Sequence, residues 1–257
     1  MTVTELFSRR LLLFTGKGGV GKSTVVASLA LAAKQLGKRP LIVELDTESA
    51  MRRLFKTPEL GHTPRAVEQD IYAVSIAPQD ALADYLETHI KVPGLVRLIL
   101  RNSLLRVFFR TAPGVYEFVT LHKLLALLDE EDRTRKNGQA YDLLLVDLPA
   151  TGHAIRLLSL PQAVRQMIGV GPLRKVIEKL ESVLSDPKIT ALSLVTLPEE
   201  LPVSEAIELY ESILAKTRVP LGMLFVNACP ERLFDQADQE LLAKLDALAP
   251  AALSDLL

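Results

Sequence analysis

The run GKGGVGKST at residues 16–24 constrains the fold of this chain more than any other feature. An apolar segment, residues 10–15, precedes it, and a segment of helical period, residues 22–37, follows it. The run satisfies the pattern G-x-x-x-x-G-K-[ST] at Gly16, Gly21, Lys22 and Ser23. Glycines in such a loop turn backbone N–H groups toward one point, and the following helix adds the positive end of its dipole. This context favours a phosphate-binding loop over the alternative, a chance glycine-rich turn.

The loop predicts the binding of ATP together with Mg²⁺. We expect Lys22 to reach the β- and γ-phosphate oxygens, which makes it a catalytic candidate, and the hydroxyl of Ser23 to ligate Mg²⁺. The residues of the loop expected to contact the nucleotide are Gly16, Gly18, Gly19, Val20, Gly21, Lys22, Ser23 and Thr24.

Short apolar runs alternate with longer segments of helical period along the chain. Continuous apolar runs are typical of strands buried on both faces of a parallel sheet. The alternation predicts an α/β fold with an open, mostly parallel sheet and helices on both faces. Together with the phosphate loop it indicates a P-loop NTPase. Strands are expected at 10–15, 40–45, 71–77, 141–147, 190–196 and 219–227, and helices at 22–37, 113–131, 162–184 and 202–216. We expect a single domain, 1–257, with a helical subregion at about 92–137 and 162–185.

Two acidic residues follow predicted strands and belong to the edge of the sheet where ligands bind. Asp147 follows the run YDLLLV and is a candidate both for catalysis and for holding Mg²⁺, because this hard cation prefers oxygen ligands. Asp46 follows PLIVEL and is a catalytic candidate that would orient the attacking water. The alternative for each is a carboxylate that caps the next helix. The neighbouring Glu44 has no assigned role.

Composition excludes several classes of protein. The chain has 30 Lys and Arg against 31 Asp and Glu, a net charge of −1, so we expect no nucleic acid partner. The single cysteine, Cys229, cannot form a disulfide within the chain, and the four histidines contain no i,i+4 pair that would suggest a metal site. No apolar segment is long enough for a signal peptide or a membrane span, which predicts a cytoplasmic protein.

The loop GKGGVGKST resembles the deviant P-loop of the MinD/ParA/nitrogenase-iron-protein class. The feature that carries this resemblance is its early lysine, Lys17. In that class the lysine reaches across a dimer interface to the partner's nucleotide, so the resemblance implies a dimer and makes Lys17 a catalytic candidate. Such a cation neutralises charge that develops on the transferred phosphoryl group. The alternative is an ordinary solvated lysine.

The segment DLPATGHAIRLLSLP, residues 147–161, is similar to switch II of the ArsA/GET ATPases, which drive arsenite pumps and target tail-anchored membrane proteins. Its matches to that family's pattern are Asp147, Thr151, Gly152, His153, Arg156, Leu158 and Pro161. The segments APGVYEF (112–118) and FVN (225–227) also resemble the family. The second makes Asn227 the candidate for adenine recognition, the alternative being an asparagine that closes a turn. The resemblance spans about residues 10–230 and implies a dimeric, single-domain relative.

The chain also departs from this family. Asp46 aligns with the switch I aspartate, but Thr47, Glu48 and Ser49 replace the Pro-Ala-His that follows it. There is no C-x-x-C pair for a zinc between subunits, and one cysteine cannot form a metalloid site. One phosphate loop is present, whereas pump ATPases have two fused halves. Only four methionines occur, too few for the methionine-rich client helices of the targeting factors.

Residues 92–111, VPGLVRLILRNSLLRVFFRT, are apolar around most of a helical wheel and contain four arginines. A helix that is hydrophobic on all sides is usually internal, which favours burial in the core. Four arginines in a core helix are costly unless paired, which favours a partner surface or contact with a membrane instead. Both interpretations are open at the level of the sequence.

These observations together predict a dimeric switch ATPase of the ArsA/GET type. It would bind and hydrolyse Mg-ATP, pair as a homodimer or with a related ATPase, and couple its nucleotide state to an apolar surface. That surface would serve a membrane-protein client or a membrane-associated partner. One alternative is a positioning ATPase like MinD/ParA. Another is a nucleotide-gated binding module with little turnover, which the altered 47–49 segment favours.

Overall fold

The computed structural model describes residues 2–45, 49–90, 92–135, 138–165, 168–231 and 236–248. A seven-stranded sheet with the order β3-β4-β2-β5-β1-β6-β7 forms its centre. All strand pairs are parallel except β3–β4, which is antiparallel. The strands are β1 (Leu11–Thr15), β2 (Pro40–Glu44), β3 (Arg65–Glu68), β4 (Ile71–Ser75), β5 (Leu143–Asp147), β6 (Thr190–Thr196) and β7 (Leu221–Val226). The predicted α/β fold with an open, mostly parallel sheet is confirmed.

Helices connect the strands and pack on the sheet. Those of the first unit are α1 (Val3–Leu6), α2 (Lys22–Gln35), α3 (Ala50–Leu54), α4 (Pro78–His89), α5 (Pro93–Arg101), α6 (Ser103–Thr111), α7 (Val115–Leu128), α8 (Thr151–Arg165), α9 (Pro172–Ser185) and α10 (Glu200–Lys216). The described part of the second unit contains α11 (Gln236–Leu248).

Both faces of the sheet are buried, which explains the continuous apolar runs of its strands. In β1, Leu11 and Leu13 belong to one hydrophobic cluster, whereas Leu12 and Phe14 belong to another. Successive side chains of a strand point to opposite faces, so the two clusters lie on opposite sides of the sheet. Helix α2 packs in the second cluster, and α7, α8 and α9 contribute to the first. The predicted placement of helices on both faces is therefore confirmed.

Strand β3 was not predicted from the sequence. Its four residues, RAVE, are mostly exposed, and it pairs only with β4 at the edge of the sheet. A short, partly polar edge strand lacks the apolar run that marks the buried strands.

Two segments predicted as single helices are divided in the structure. The 162–184 segment contains the end of α8 and all of α9 except its last residue, Ser185. The 92–111 segment divides into α5 and α6 at Asn102, whose side-chain oxygen accepts hydrogen bonds from the backbone N–H groups of Leu104 and Leu105. Asparagine favours this N-cap geometry, which starts a new helix in place of continuing the old one.

The 92–111 segment lies on the surface. Among its described side chains only Val96 is fully buried, and all four of its arginines are exposed. Burial in the core, one of the two interpretations open from the sequence, is therefore wrong.

By internal contacts the chain divides into two compact units, residues 1–227 and residues 228–257. The first contains the whole sheet, and the described part of the second contains α11. The single domain over 1–257 stays a prediction. Among the described residues, no helix combines the length and the apolar character that a membrane crossing requires.

Candidate nucleotide-binding site

Three neighbouring strands bring the predicted site residues to one edge of the sheet. Strands β2, β5 and β1 are adjacent and parallel, so their carboxyl ends meet at this edge. The glycine loop follows β1, and Asp147 is the last residue of β5. In the strand register Asp147 lies between Phe14 of β1 and Glu44 of β2. Ligands of open α/β sheets bind at this type of edge.

Two glycines of the loop are required by its geometry. Gly16 has a φ of 156°, and a Cβ there would lie 2.2 Å from the carbonyl oxygen of Val195. Gly21 has a φ of 85°, and a Cβ there would lie 2.2 Å from the side-chain nitrogen of Asn227. Any side chain at either position would therefore clash as well as strain the backbone. These are the two glycines that the sequence pattern specifies.

Lys22 begins helix α2, and its side chain returns over the loop. Its Nζ donates hydrogen bonds to the carbonyl oxygens of Gly16 at 3.3 Å and Lys17 at 3.0 Å. The ammonium group thus lies at the helix N-terminus, beside the loop whose N–H groups would receive phosphate. Among the other loop residues, Val20 is buried, whereas Gly18, Gly19 and Thr24 are exposed.

The two predicted Mg²⁺ ligands lie in direct contact. The hydroxyl of Ser23 donates a hydrogen bond of 2.5 Å to Oδ2 of Asp147. A hydroxyl and a carboxylate oxygen are hard donors that suit Mg²⁺, which keeps several waters and phosphate oxygens in its octahedral shell. Among the described residues no group of three or more His, Cys, Asp or Glu side chains could hold a metal alone. The donor set fits a cation held jointly by the protein, a phosphate chain and water.

Glu44 is a buried acid of this edge that sequence reasoning left without a role. Its side chain accepts hydrogen bonds from Ser49 Oγ at 2.6 Å and from the backbone N–H of Met51 at 3.0 Å. Burial raises the pKa of its carboxyl, the hydrogen bonds oppose this, and the charge of Asp147 adds to the rise. An acidic residue inside an otherwise apolar strand was the signal that could have identified it.

Asp46, the predicted switch I aspartate, lies outside the described residues together with Thr47 and Glu48. The structure describes the residues on either side of this segment. Ser49 is the N-cap of α3 and accepts a hydrogen bond from the backbone N–H of Arg52. Ser49 therefore both caps a helix and binds Glu44.

Lys17 forms an ion pair with helix α10. Its Nζ lies 2.7 Å from Oε1 of Glu205, and both side chains are about one third exposed. The pair borders an open cavity of about 390 Å³ between the glycine loop, α8 and α10. The residues that line it are Lys17, Gly18, Thr151, Ile155, Glu205, Glu208, Leu209 and Ser212. The loop lysine thus borders a space that also contacts the predicted switch II helix.

Asn227 supports the glycine loop. Its side-chain nitrogen donates a hydrogen bond of 2.9 Å to the carbonyl oxygen of Val20, and its backbone N–H donates to Thr196. The residue therefore lies at the site, directly after β7, which pairs with β6, the neighbour of β1. Its role in adenine recognition stays a prediction.

The switch II segment starts directly at the site. Helix α8 begins at Thr151, four residues after Asp147. The hydroxyl of Thr15, the last residue of β1, donates to the carbonyl oxygen of Pro149 at 3.5 Å. Helix α8 in turn packs against α7 and α9. Packing contacts are therefore continuous from the segment after Asp147, through α8, to α7 and α9.

Comparison with known proteins places the chain in a family. A family model described as "Anion-transporting ATPase" matches residues 9–176. The ATPase BagA of Mycobacterium tuberculosis is 31% identical over 229 residues, which cover 87% of this chain and 66% of that protein. The arsenical pump-driving ATPase of Escherichia coli is 29% identical over 271 residues, which cover 95% of this chain and 45% of that protein.

The chain therefore spans slightly less than two thirds of BagA and less than half of the Escherichia coli protein. The family match contains the glycine loop, Asp147 and the whole of α8, the predicted switch II helix. The match also contains the 112–118 segment, whereas the 225–227 segment lies beyond it. The chain belongs to the anion-transporting ATPase family of the ArsA type.

Proposed function

We propose that this chain binds Mg-ATP at the glycine loop and hydrolyses it, and that the γ-phosphate acts as the switch. The observation that carries the proposal is the contact between Ser23 and Asp147 beside Lys22, at the carboxyl end of β1. The ammonium group of Lys22, the hydroxyl of Ser23 and the carboxylate of Asp147 are the groups with which a phosphate-binding loop binds a nucleotide and Mg²⁺. We place this activity in the cytoplasm, where ATP is available.

In this mechanism the protein mainly positions the phosphates and stabilises their charge. The backbone N–H groups of the loop and the N-terminus of α2 bind phosphate oxygens, and Lys22 neutralises charge on the β- and γ-phosphates. Ser23 would ligate Mg²⁺ directly, and Asp147 would hold it through water. When bound, Mg²⁺ would supply further neutralisation of the phosphate charge. We assign Asp46 to orienting the attacking water. Glu44 and Ser49, on either side of its segment, are hydrogen-bonded to each other.

We further propose that hydrolysis occurs in a dimer, either of two copies or with a related ATPase. Lys17 would then act on the partner's phosphates, for which it must leave Glu205. The exchange of one carboxylate for a phosphate retains the charge pairing of the lysine. The ion pair with Glu205 therefore gives Lys17 a defined position when no partner is bound.

The nucleotide state would reach the surface of α5 and α6 through a chain of packed helices. Asp147 leads into α8, α8 packs against α7, and α7 packs against α6. Loss of the γ-phosphate removes a contact that only the ATP state offers, which is the differential interaction a switch requires. The surface would serve a membrane-protein client or a membrane-associated partner.

Substitution of Lys22 tests the proposed nucleotide site. Lys22→Ala is expected to lose most of the affinity for ATP, because its ammonium group contributes a charge-assisted contact to the phosphates. A fluorescent ATP analogue is titrated into both proteins with and without Mg²⁺. Lys188→Ala is the matched control, since Lys188 is an exposed lysine outside the site. Equal affinity of wild type and Lys22→Ala would show that Lys22 does not bind the phosphates of ATP.

A second candidate is a nucleotide-gated binding module with little turnover. Ser49 caps α3 and binds Glu44, so a position of the altered 47–49 segment has a structural role in this chain. A segment that stabilises the fold is less available for catalysis, which favours a protein that binds ATP but hydrolyses it slowly. Measured phosphate release separates the two candidates, because the module binds ATP with the same dependence on Lys22 but releases almost no phosphate. The family match favours the ArsA-type switch over a positioning ATPase like MinD/ParA.

A further inference from the structure

Helices α5 and α6 present large apolar side chains to solvent. We call residues 92–111 the α5–α6 surface. Its most exposed apolar residues are Leu104 at 79%, Leu98 at 65%, Phe108 at 59%, Val92 at 57% and Val107 at 54%. Such a concentration on two consecutive short helices differs from the scattered exposed residues of ordinary surfaces and marks an interaction site.

The apolar and basic residues of this surface are separated on α6 and adjacent on α5. At 100° per residue, Leu104, Val107 and Phe108 fall on one side of α6, and Arg106 and Arg110 fall on the other. On α5, Leu95 and Leu98 share one side, and Arg101 lies about 60° beyond Leu98. Apolar residues flanked by arginines are typical of helices that lie in a membrane interface.

The charge of this region has one sign. No Asp or Glu occurs between Glu87 and Glu117, whereas four arginines occur between them. Within the described residues, none of these arginines forms an ion pair. Glu87 of α4 is the acidic group that borders the same cavity as Arg97 and Arg101. Unpaired arginines beside exposed leucine and phenylalanine complement a surface that is anionic outside and apolar beneath.

An open cavity of about 410 Å³ lies beside α5. It is lined by Glu87, Ile90, Val96, Arg97, Leu100 and Arg101. The exposed side chains of Leu98, Leu104 and Phe108 do not line it, so they form apolar ridges on the surface and not the wall of this cavity.

We propose that the α5–α6 surface binds an anionic lipid bilayer. Its leucine and phenylalanine side chains enter the boundary between headgroups and acyl chains, and its arginines contact the lipid phosphates. This goes beyond the proposed ATPase function, since adsorption to lipid requires no hydrolysis. It assigns to the basic apolar helices a partner of defined chemistry.

Vesicle flotation tests the charge requirement. The full chain is floated with vesicles of phosphatidylcholine alone and of phosphatidylcholine mixed with phosphatidylglycerol. Binding is expected only to the mixture, and rising salt should weaken it. Arg101→Gln with Arg106→Gln should lower the partition coefficient about 25-fold, roughly fivefold for each arginine. Arg133→Gln with Lys188→Gln, which removes two exposed cations elsewhere, should change little.

A second pair of variants tests the apolar face. Leu104→Asp with Phe108→Asp should abolish flotation, whereas Leu201→Asp with Leu214→Asp on α10 should retain it. The control residues are also exposed, at 61% and 56%. Circular dichroism and ATP titration of each variant establish that the fold and the nucleotide site are intact, so the two proposals can fail separately.

Equal binding to neutral and anionic vesicles, or flotation of the Leu104→Asp and Phe108→Asp protein like the wild type, would overturn the inference. So would the absence of flotation by the folded wild-type protein. If the protein does not bind vesicles and the surface crosslinks to an apolar helical peptide, the surface binds a protein client instead.

Discussion

Glu44 connects two parts of the candidate site, the strand end beside Asp147 and the start of α3. It ends β2 next to Asp147 in the strand register, and its carboxyl holds the start of α3 through Ser49 and Met51. A buried acid of this kind is costly unless it is hydrogen-bonded or protonated. The protonation state of Glu44 therefore affects the hydrogen bonds that hold the start of α3 at this edge of the sheet.

Substitution of Glu44 should change how stability depends on pH. Because burial raises the pKa of Glu44 above its ordinary 4.5, the folded protein holds this proton to a higher pH than the unfolded chain does. The free energy of unfolding is then unaffected below the ordinary pKa and falls as the pH rises through the folded pKa. In Glu44→Gln this fall is absent.

Urea unfolding of wild type and Glu44→Gln across the acid to neutral range measures the difference. The expected result is that the stability of wild type declines relative to the variant as the pH rises. Glu211→Gln, at an exposed position on α10, is the control. Parallel curves for wild type and Glu44→Gln would show that Glu44 ionises equally easily in both states.

At the level of elements, some parts of the structure were predictable and others were not. The glycine loop was predictable because the φ values and close contacts at Gly16 and Gly21 leave little choice of residue. Buried strands were predictable because both faces of β1 enter the core. Edge strand β3 was not, because its mostly exposed residues leave no apolar pattern.

Side-chain partners were also beyond prediction from the sequence. The ion pair between Lys17 and Glu205 joins residues 188 positions apart, so only the folded arrangement of β1 and α10 brings them together. Asn227 contacts Val20 across 207 positions for the same reason. Patterns along a chain indicate which residue types a site needs, whereas their partners depend on topology.

The α5–α6 surface should respond to the nucleotide. If loss of the γ-phosphate releases the segment after Asp147, the change passes through α8 and α7 to α6, and local opening of α5 and α6 changes with it. Hydrogen exchange of residues 92–111 should therefore differ between a non-hydrolysable ATP analogue and ADP. Strand β1 serves as the internal reference. Identical exchange in both states would show that the nucleotide state does not affect this surface.

At the scale of the whole molecule, the proposed dimer predicts complementation between two inactive proteins. Lys17→Ala removes the lysine that acts in trans, and Asp46→Asn removes the water-orienting group that acts in cis. A mixed dimer then has one site with an intact Asp46 and an incoming Lys17. Phosphate release should return on mixing, toward half of the activity per mixed dimer.

Crosslinking or native mass spectrometry of the mixture establishes that mixed dimers form. Lys17→Ala alone should reduce turnover more than ATP affinity, since its own nucleotide pocket is unchanged. If mixed dimers are present and no activity returns, Lys17 does not act in trans.

Steady-state phosphate release tests the central claim, that this chain is a Mg-dependent ATPase at the Ser23–Asp147 site. We expect release by wild type with Mg²⁺, none with a chelator, and none above background for Lys22→Ala. Release should be at least about tenfold slower for Asp46→Asn at nearly normal ATP affinity, as for loss of a group that orients water. Equal release by wild type and Lys22→Ala, or no Mg-dependent release by wild type that binds ATP and forms dimers, would contradict it.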